Sequence, residues 1–355
     1  MRVVAIAGDA GGARALLPVI AELRSRGVAI DARAYAAATA IWTAAGLRPG
    51  PVHPIDLGGA DRVLLGTTVG PEQYEQEYVA ASQTARIPAV SVVDSWVHYR
   101  ERFTSLAGEV RWPDHVAVAD DEMRAGIVGQ GAPPSRVVVT GQPTFDELAP
   151  LATPAGRRAA RVRVCAAFGI PTGGTLVLFA SQPLHQLYST EQLGFDDRAI
   201  VAEVVTDLVE VVVARGGSAD LVVKLHPREM ADPPPVPLSP GSAVRVHVAS
   251  DDRLSARELA AAADLVVGMS SILLIEACLV GTPAISYQPG LRLPDPLPAN
   301  RWGWTRSVDN RGELAVALDA ELYDEAARDA RRTALVGARV DGGAARRVAE
   351  IVMAH

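Results

Sequence analysis

The sequence, 355 residues long, contains only two cysteines. Cys165 and Cys278 lie far apart and form no CxxC pair, which excludes a disulfide framework and indicates a reducing compartment. The N-terminal stretch MRVVAIAGDAGG has about five apolar residues before a glycine turn, which is typical of a first β-strand and not of a signal peptide. We therefore expect a cytoplasmic protein.

The sequence also lacks an excess of basic residues and a long uninterrupted apolar run. With 34 Lys and Arg against 41 Asp and Glu, the formal charge of -7 argues against general nucleic-acid binding, which needs a basic face. A single nucleotide needs only a few local donors and is not excluded. The most apolar stretch, Leu265 to Ile285, is interrupted by Ser270, Ser271, Glu276 and Gly281. This stretch is better explained as a strand, a helix and a second strand than as a membrane span. The sequence leaves the oligomeric state open.

Aromatic residues make up only 5% of the chain, whereas alanine and valine are abundant, which suits helices packed closely on parallel strands. The chain is too long for one ordinary core and fits two domains of about 150 residues each. We place the boundaries at 1–150, 151–330 and, for C-terminal helices, 331–355. A linker is expected between Gly141 and Arg163, where Pro143, Pro150 and Pro154 accumulate.

Short β-branched runs alternate with amphipathic helical patterns along the whole chain. Strands are predicted at Arg2–Ala7, Val28–Tyr35, Arg62–Gly66, Pro88–Val93, His115–Ala119, Arg136–Thr140, Thr175–Ala180, Ala219–Leu225, Ala243–Val248, Leu265–Gly268 and Pro283–Tyr287. This alternation predicts an α/β fold of two Rossmann-like, doubly wound domains that face each other across a cleft. Ligands of such sheets bind beyond the carboxyl ends of the strands, so motifs at strand ends are the functional candidates.

The first motif, GDAGGA, follows the first strand and opens a helix. Gly11 and Gly12 allow a close backbone approach, and the helix N-terminus offers N–H groups to an anion or hydroxyl. Asp9 is a candidate general base at this turn. The spacing is not GxGxxG, so NAD binding by a dehydrogenase has little support, and a structural glycine turn is the alternative.

The second motif, KLHPRE, ends a strongly apolar strand. Lys224 and His226 share one face of the strand, and Pro227 stops it. With Arg228 they form a cationic cluster that can meet phosphate oxygens, and a histidine can protonate a leaving phosphate. A charged surface loop is the alternative.

The third motif, GMSSILLIEA, opens a helix after the strand that ends at Gly268. Ser270 and Ser271 add hydroxyl donors to the N–H groups of the helix N-terminus, which suits a phosphate. Glu276 lies on an otherwise apolar helix and needs partners, which a ribose diol would supply. The alternative is a serine cap with a glutamate on the helix face.

Further polar residues follow other strands. Gln182 and His185 come after the first strand of the second half and can bind phosphate or sugar. In the segment Asp94 to Tyr99, Trp96 either stacks on a sugar ring or caps the core. The acidic pairs Asp120-Asp121 and Asp251-Asp252 precede helices and are explained as caps, so we assign no metal site and no cofactor.

The second and third motifs together resemble the C-terminal half of GT-B glycosyltransferases. The HP and SS pairs are similar to those of bacterial sialyl-, polysialyl- and Kdo-type transferases and CDP-alditol phosphotransferases. The stretch Ser270 to Pro283, with Glu276 and GTP, is similar to the UDP-N-acetylglucosamine 2-epimerases of the same fold group. The opening GDAGGA and the TGQP at Thr140 fit this architecture. A GTRPE-like N-terminal signature, which the epimerases have, is absent.

The resemblance implies that the second domain binds a nucleotide sugar. His226 and the amides of Ser270 and Ser271 would hold the donor phosphates, and Glu276 would bind the ribose.

In the first domain, Asp9 would be the base for the acceptor hydroxyl, with Gly11 and Gly12 lining the opposite wall. The leading hypothesis is thus a metal-independent glycosyltransferase that moves a sugar from a nucleotide-sugar donor to a hydroxyl acceptor. The alternatives are a nucleotide-sugar 2-epimerase and a non-catalytic nucleotide-sugar binding protein. The base, the sugar, the acceptor and the stereochemical outcome stay open.

Overall fold

The structure, a computed structural model, describes residues 1–70, 72–237, 241–249, 253–335 and 340–354. The chain divides into two compact units between residues 147 and 148. The C-terminal segment that contains helix Ala344–Met353 belongs to the first unit and not, as the sequence boundaries had it, with the other C-terminal helices. None of the helices in the described part of the chain has the length and apolar character that a membrane crossing requires.

The first unit is built on a sheet of six strands. Its elements up to the division are β1 (Arg2–Ala7), α1 (Ala10–Ser25), β2 (Ala29–Ala34), α2 (Ala36–Ala44), β3 (Arg62–Leu65), α3 (Tyr74–Ala85), β4 (Ala89–Val92), β5 (His115–Val118), α4 (Asp121–Gly129) and β6 (Val137–Val139).

The second unit is built on another sheet of six strands. Its elements are α5 (Pro154–Phe168), β7 (Thr175–Ala180), α6 (Thr190–Leu193), α7 (Ile200–Ala214), β8 (Ala219–Lys224), β9 (Val244–Ala249), α8 (Ala256–Ala262), β10 (Leu265–Gly268), α9 (Ile272–Leu279), β11 (Ala284–Tyr287), α10 (Pro298–Arg301), β12 (Arg306–Val308), α11 (Leu314–Tyr323) and α12 (Glu325–Ala334). The last helix of the chain, α13 (Ala344–Met353), packs on α1 in the first unit.

Inner strands of the two sheets, such as β3 and β10, are buried throughout, which explains their apolar sequences. In β1, Val3 and Ala5 join a core cluster with α1 and α13, whereas Val4 and Ile6 join the cluster on the opposite face. The alternation follows from the two-residue period of a strand. All neighbouring strands in the described sheets pair in parallel, as the βαβ pattern predicted.

The two sheets have the order β2-β1-β3-β4-β5-β6 and β12-β11-β10-β7-β8-β9. In the first sheet the chain order reverses between β1 and β3, and in the second it reverses between β7 and β10. At such a switch point the loops after the two strands diverge to opposite faces and leave a crevice at the carboxyl edge, where doubly wound folds bind ligands. GDAGGA follows β1, and the SS pair follows β10.

The predicted linker is wrong in its second half, where α5 begins at Pro154. Thr153 caps this helix by accepting the Gly156 N–H at 3.0 Å, and Pro154 occupies the first helical position, where it lacks only an N–H that the helix does not use. The prolines there mark a helix start and not an extended connection. Helix α2 and the edge strand β12 were not predicted.

Candidate substrate-binding sites

The carboxyl edge of the first sheet carries Asp9 at the start of α1. Asp9 is the N-cap of this helix and accepts the backbone N–H of Gly12 at 2.7 Å, while its own N–H donates to Thr68 Oγ1 at 3.2 Å. These bonds fix the carboxylate at the β1–β3 switch point, since Ile6 and Leu65 are paired just before the two strands end.

The acidity of Asp9 is altered by its surroundings. Burial, followed by the negative charge of Asp94, raises the pKa of Asp9 from 3.8 to about 6, although the N–H groups of Gly12 and Gly11 and the charge of Arg102 oppose the change. A general base for chemistry near neutral pH needs a pKa in this range. The geometry of GDAGGA therefore suits a base.

Asp94 follows β4 and lies close to α1. A Cβ atom on Gly11 would be 1.8 Å from Asp94 Oδ2, so only glycine fits at this position without displacing the carboxylate. Arg102, whose side chain is buried, pairs with Asp94 Oδ1 at 2.6 Å, and the Thr67 hydroxyl donates to the same oxygen at 3.2 Å. The sequence analysis singled out the segment of Asp94 but not its pairing with Arg102.

A buried glutamate lies behind Asp9 and was missed by sequence reasoning. Glu75 on α3 accepts hydrogen bonds from Thr68 Oγ1 at 2.7 Å and from the Tyr35 hydroxyl. Burial raises the pKa of Glu75 in spite of these bonds. Because Thr68 also accepts the Asp9 N–H, Glu75 supports the turn that carries Asp9.

In the second unit, Gln182 and Ser270 meet at the β7–β10 switch point. The Ser270 N–H donates to Gln182 Oε1 at 2.9 Å. The two residues are close because Ala180 and Gly268, each two residues earlier in the chain, are paired in the sheet. Ser271 caps α9 and accepts the Leu273 N–H at 3.3 Å. The structure thus brings the SS pair together with Gln182.

The histidine of KLHPRE lies at the carboxyl end of β8, next to β7. His226 Nδ1 accepts the Arg228 N–H at 3.1 Å, so a neutral ring carries its proton on Nε2. The His226 N–H donates to Glu229, a buried carboxylate whose pKa is raised by burial and which also accepts the Ser181 hydroxyl. Lys224 ends β8 and is half-buried. The local fold therefore orients His226.

His185 is held by a buried partner. Its Nδ1 lies 2.8 Å from Asp197 Oδ2, and the same oxygen accepts the His185 N–H at 3.1 Å. The side chain of His185 remains about one-third exposed. Gln186 Nε2 donates to the Arg228 carbonyl at 3.5 Å, which joins the loops after β7 and β8. His185, predicted as a phosphate or sugar donor, thus lies on a loop tied to that of His226.

Glu276 is buried, as the sequence analysis predicted, and it has a protein partner. The Arg257 guanidinium of α8 donates to Glu276 Oε1 at 2.7 and 3.0 Å through Nη2 and Nε. An arginine on the neighbouring helix therefore supplies at least part of the compensation that was expected from a ribose.

Trp96 packs within the first unit. Its side chain is buried and stacks on Phe145 at 6.3 Å between ring centroids, and its Nε1–H donates to Asp120 Oδ2 at 2.7 Å. Of the two roles considered for Trp96, this packing fits the core cap. Asp120 caps α4 through Met123 N at 2.8 Å, in agreement with its predicted role. The pair Asp251-Asp252 lies outside the described residues.

Comparison with known proteins extends only to solved structures, since no protein-family model and no curated protein matches the chain. The UDP-GlcNAc 2-epimerase of Neisseria meningitidis, solved with UDP-GlcNAc, is similar over 100% of both chains with a TM-score of 0.65 and 14% identity. The glycotransferase of kitacinnamycin is similar over 99% of this chain and 98% of its own, with a TM-score of 0.61 and 17% identity. Anabaena Alr3699/HepE, solved with UDP and glucose, matches over 100% of both chains with a TM-score of 0.56 and 14% identity.

These similarities confirm the fold class. The chain is an α/β protein of two Rossmann-like units with the fold that UDP-GlcNAc 2-epimerases share with GT-B glycosyltransferases. Identities of this size establish the fold and not the reaction.

Proposed function

We propose that the protein is a nucleotide-sugar-dependent glycosyltransferase that acts on a hydroxyl acceptor. The observation that carries the proposal is Asp9, a carboxylate fixed at a switch point with a pKa of about 6. Gly11, two residues further on, has no side chain that would displace the neighbouring Asp94. Such a carboxylate accepts a proton from a sugar or alcohol hydroxyl as that oxygen becomes a nucleophile.

In the proposed reaction the acceptor oxygen attacks the anomeric carbon of the donor sugar. The hydroxyl proton passes to Asp9, a new C–O bond forms, and the bond from the anomeric carbon to the phosphate oxygen breaks. The leaving nucleoside phosphate takes the bonding electrons and the negative charge. Positioning the two reactants and stabilising that charge are the protein's contributions.

The second unit holds the groups proposed to bind the donor. The side chains of His226, Lys224 and Arg228 would meet the phosphate oxygens. The helix N-terminus capped by Ser271 would add N–H donors and the positive end of its dipole. The ring of His226 enters this role with its tautomer set by the Arg228 N–H and its backbone held by Glu229. No metal or cofactor is given a role.

A 2-epimerase is the competing activity, because Asp94 places a second carboxylate beside Asp9. An epimerase needs acid and base groups that both exchange protons at the sugar carbons. Arg102 holds Asp94 in an ion pair at 2.6 Å, which favours a structural role for Asp94 and leaves Asp9 as the candidate proton acceptor at this edge. One base is what transfer to a hydroxyl requires.

The test is product analysis in D2O with a panel of UDP-, CDP- and dTDP-sugars, with and without hydroxyl acceptors. A transferase releases the nucleoside phosphate in an acceptor-dependent manner and leaves the sugar C–H bonds unexchanged. Deuterium in the sugar without acceptor would identify an epimerase instead. Asp9→Asn should abolish the transfer, whereas full activity of this variant would remove Asp9 from the mechanism.

A further inference from the structure

The amino edge of the second sheet, opposite to the candidate donor site, contains a cavity of about 750 Å³. It lies next to Gly174 and Asp264, which directly precede β7 and β10. From there it extends to the C-terminal ends of α8 and α9. The proposed transferase chemistry uses none of its residues.

Four arginines line this cavity: Arg157, Arg158 and Arg161 on α5, and Arg332 on α12. Three of them lie in the first half of α5, where positive side chains oppose the helix dipole. The helix dipole therefore does not explain their placement.

Two of the arginines are held in place by backbone carbonyls. Arg157 donates to the Gly281 carbonyl at 2.9 Å and to the Ala261 carbonyl at 3.4 Å. Arg161 donates to the Ala262 carbonyl at 2.7 Å and pairs with Asp264 at 3.1 Å. These bonds order both guanidinium groups without neutralising Arg157.

The other two supply the accessible donors. Arg158 is exposed and makes no hydrogen bond or ion pair with any residue that the structure describes. Arg332 pairs through Nη1 with Asp329 on its own helix, and both side chains are largely exposed. An anion in the cavity could be bound by these two side chains while Arg157 forms part of the wall.

The charges in the cavity do not balance. Asp264 is the one carboxylate among its described lining residues, the ends of α8 and α9 contribute about half a negative charge each, and Arg332 is paired with Asp329. This leaves an excess of about one positive charge. Burial lowers the pKa of Arg157. The charge of Asp264 opposes this change, and the like charges of Arg332 and Arg161 add to it. A bound anion would relieve this repulsion.

We propose that this cavity is a second binding site, separate from the nucleotide-sugar site, for a small phosphate-type polyanion such as pyrophosphate or a phosphate monoester. Guanidinium groups recognise phosphoryl oxygens through paired N–H donors, and the cavity is large enough for a diphosphate. Because it lies at the opposite edge of the sheet, its occupancy does not require the donor site to be empty.

The test is isothermal titration calorimetry with sodium pyrophosphate. NaCl is added so that the ionic strength is the same in all solutions. We expect saturable binding to the wild type and an affinity at least tenfold lower for Arg158→Gln, an exposed position where the variant should fold normally. Arg163→Gln is the matched control, since Arg163 is on the same helix but pairs with Glu258 and does not line the cavity. It should bind within twofold of the wild type.

A further variant, His226→Ala, distinguishes this cavity from the donor site. Pyrophosphate affinity should stay within twofold of the wild type in His226→Ala. No saturable binding to the wild type, equal binding by Arg158→Gln and the wild type, or a tenfold loss in His226→Ala would each overturn the proposal. None of these results depends on which nucleotide sugar the protein uses.

Discussion

Replacing Asp9 by asparagine should make the first unit more stable at neutral pH while removing the proposed base. Asp9 is ionised only at a cost, because the fold partly buries it next to Asp94 and raises its pKa from 3.8 to about 6. Asparagine caps helices as well as aspartate does, so the bond from Gly12 N–H can be kept. The substitution therefore removes the charge and preserves the helix start.

The sign and size of the effect follow from proton linkage. Between pH 3.8 and about 6 the folded chain binds more protons at Asp9 than the unfolded chain, so the free energy of unfolding falls as pH rises through this range. A shift of about two pH units corresponds to about 3 kcal/mol, and partial exposure of Asp9 to water reduces this to about 2 kcal/mol. Because asparagine does not ionise, the free energy of unfolding of Asp9→Asn does not fall in this pH range. This variant should match the wild type near pH 4 and be about 2 kcal/mol more stable at pH 7.5.

Urea unfolding with pulse-labelling hydrogen exchange gives the required resolution, because the β1 peptide reports on the first unit and the β7 peptide on the second. The second unit is then an internal reference. Asp324→Asn makes the same chemical change at an exposed N-cap, that of α12, and shows the general effect of replacing a capping carboxylate.

The reasoning fails if Asp9→Asn is less stable than the wild type at pH 7.5. It also fails if the difference between the two proteins is the same at pH 4 and pH 7.5, since a charge-burial effect must follow the titration of Asp9. A gain in the second unit equal to that in the first would point to a cause outside Asp9.

Three further outcomes are expected. The value of kcat/KM should rise with pH through an apparent pKa of about 6, because only ionised Asp9 accepts the acceptor proton, and a flat profile from pH 5 to 8 would contradict this role. Gly11→Ala should lower the stability of the first unit by about 1–3 kcal/mol and reduce transfer, because its Cβ would fall 1.8 Å from Asp94 Oδ2, and unchanged unfolding curves would refute the contact. Glu276→Ala should lower the stability of the second unit by about 2 kcal/mol in urea, because Arg257 loses a buried carboxylate, whereas a neutral effect would show the pair to be unimportant.

Much of the fold could be predicted from sequence because buried parallel strands leave a simple pattern. Runs such as Thr175–Ala180 and Leu265–Gly268 are uninterrupted, apolar and bounded by turn residues, and the structure has strands with these bounds. The linker was misplaced because prolines signal both loops and helix starts, and only the Thr153 cap tells the two apart.

The positions of Asp9 and His226 at strand ends could be predicted from the sequence, and the structure places both residues there. Contacts between distant segments could not be predicted. The position of Asp94 beside Gly11 depends on the strand order β1-β3-β4, which cannot be deduced from the sequence pattern of any one strand. Glu75 lies in the polar stretch YEQEY, whose composition suggests exposure, and its burial follows from how α3 packs on the sheet.

The central claim is that the second unit binds a nucleotide through His226. A thermal-shift panel of UDP, CDP, CMP, GDP, dTDP and NAD with wild type, His226→Ala and the exposed control His53→Ala tests it most directly. A nucleotide at 100 times its dissociation constant adds about 2.7 kcal/mol to the free energy of unfolding, a readily measured shift. We expect one nucleotide to stabilise the wild type and the control, with most of the shift lost in His226→Ala. No shift with any nucleotide, a shift with NAD alone, or a full shift in His226→Ala would contradict the account.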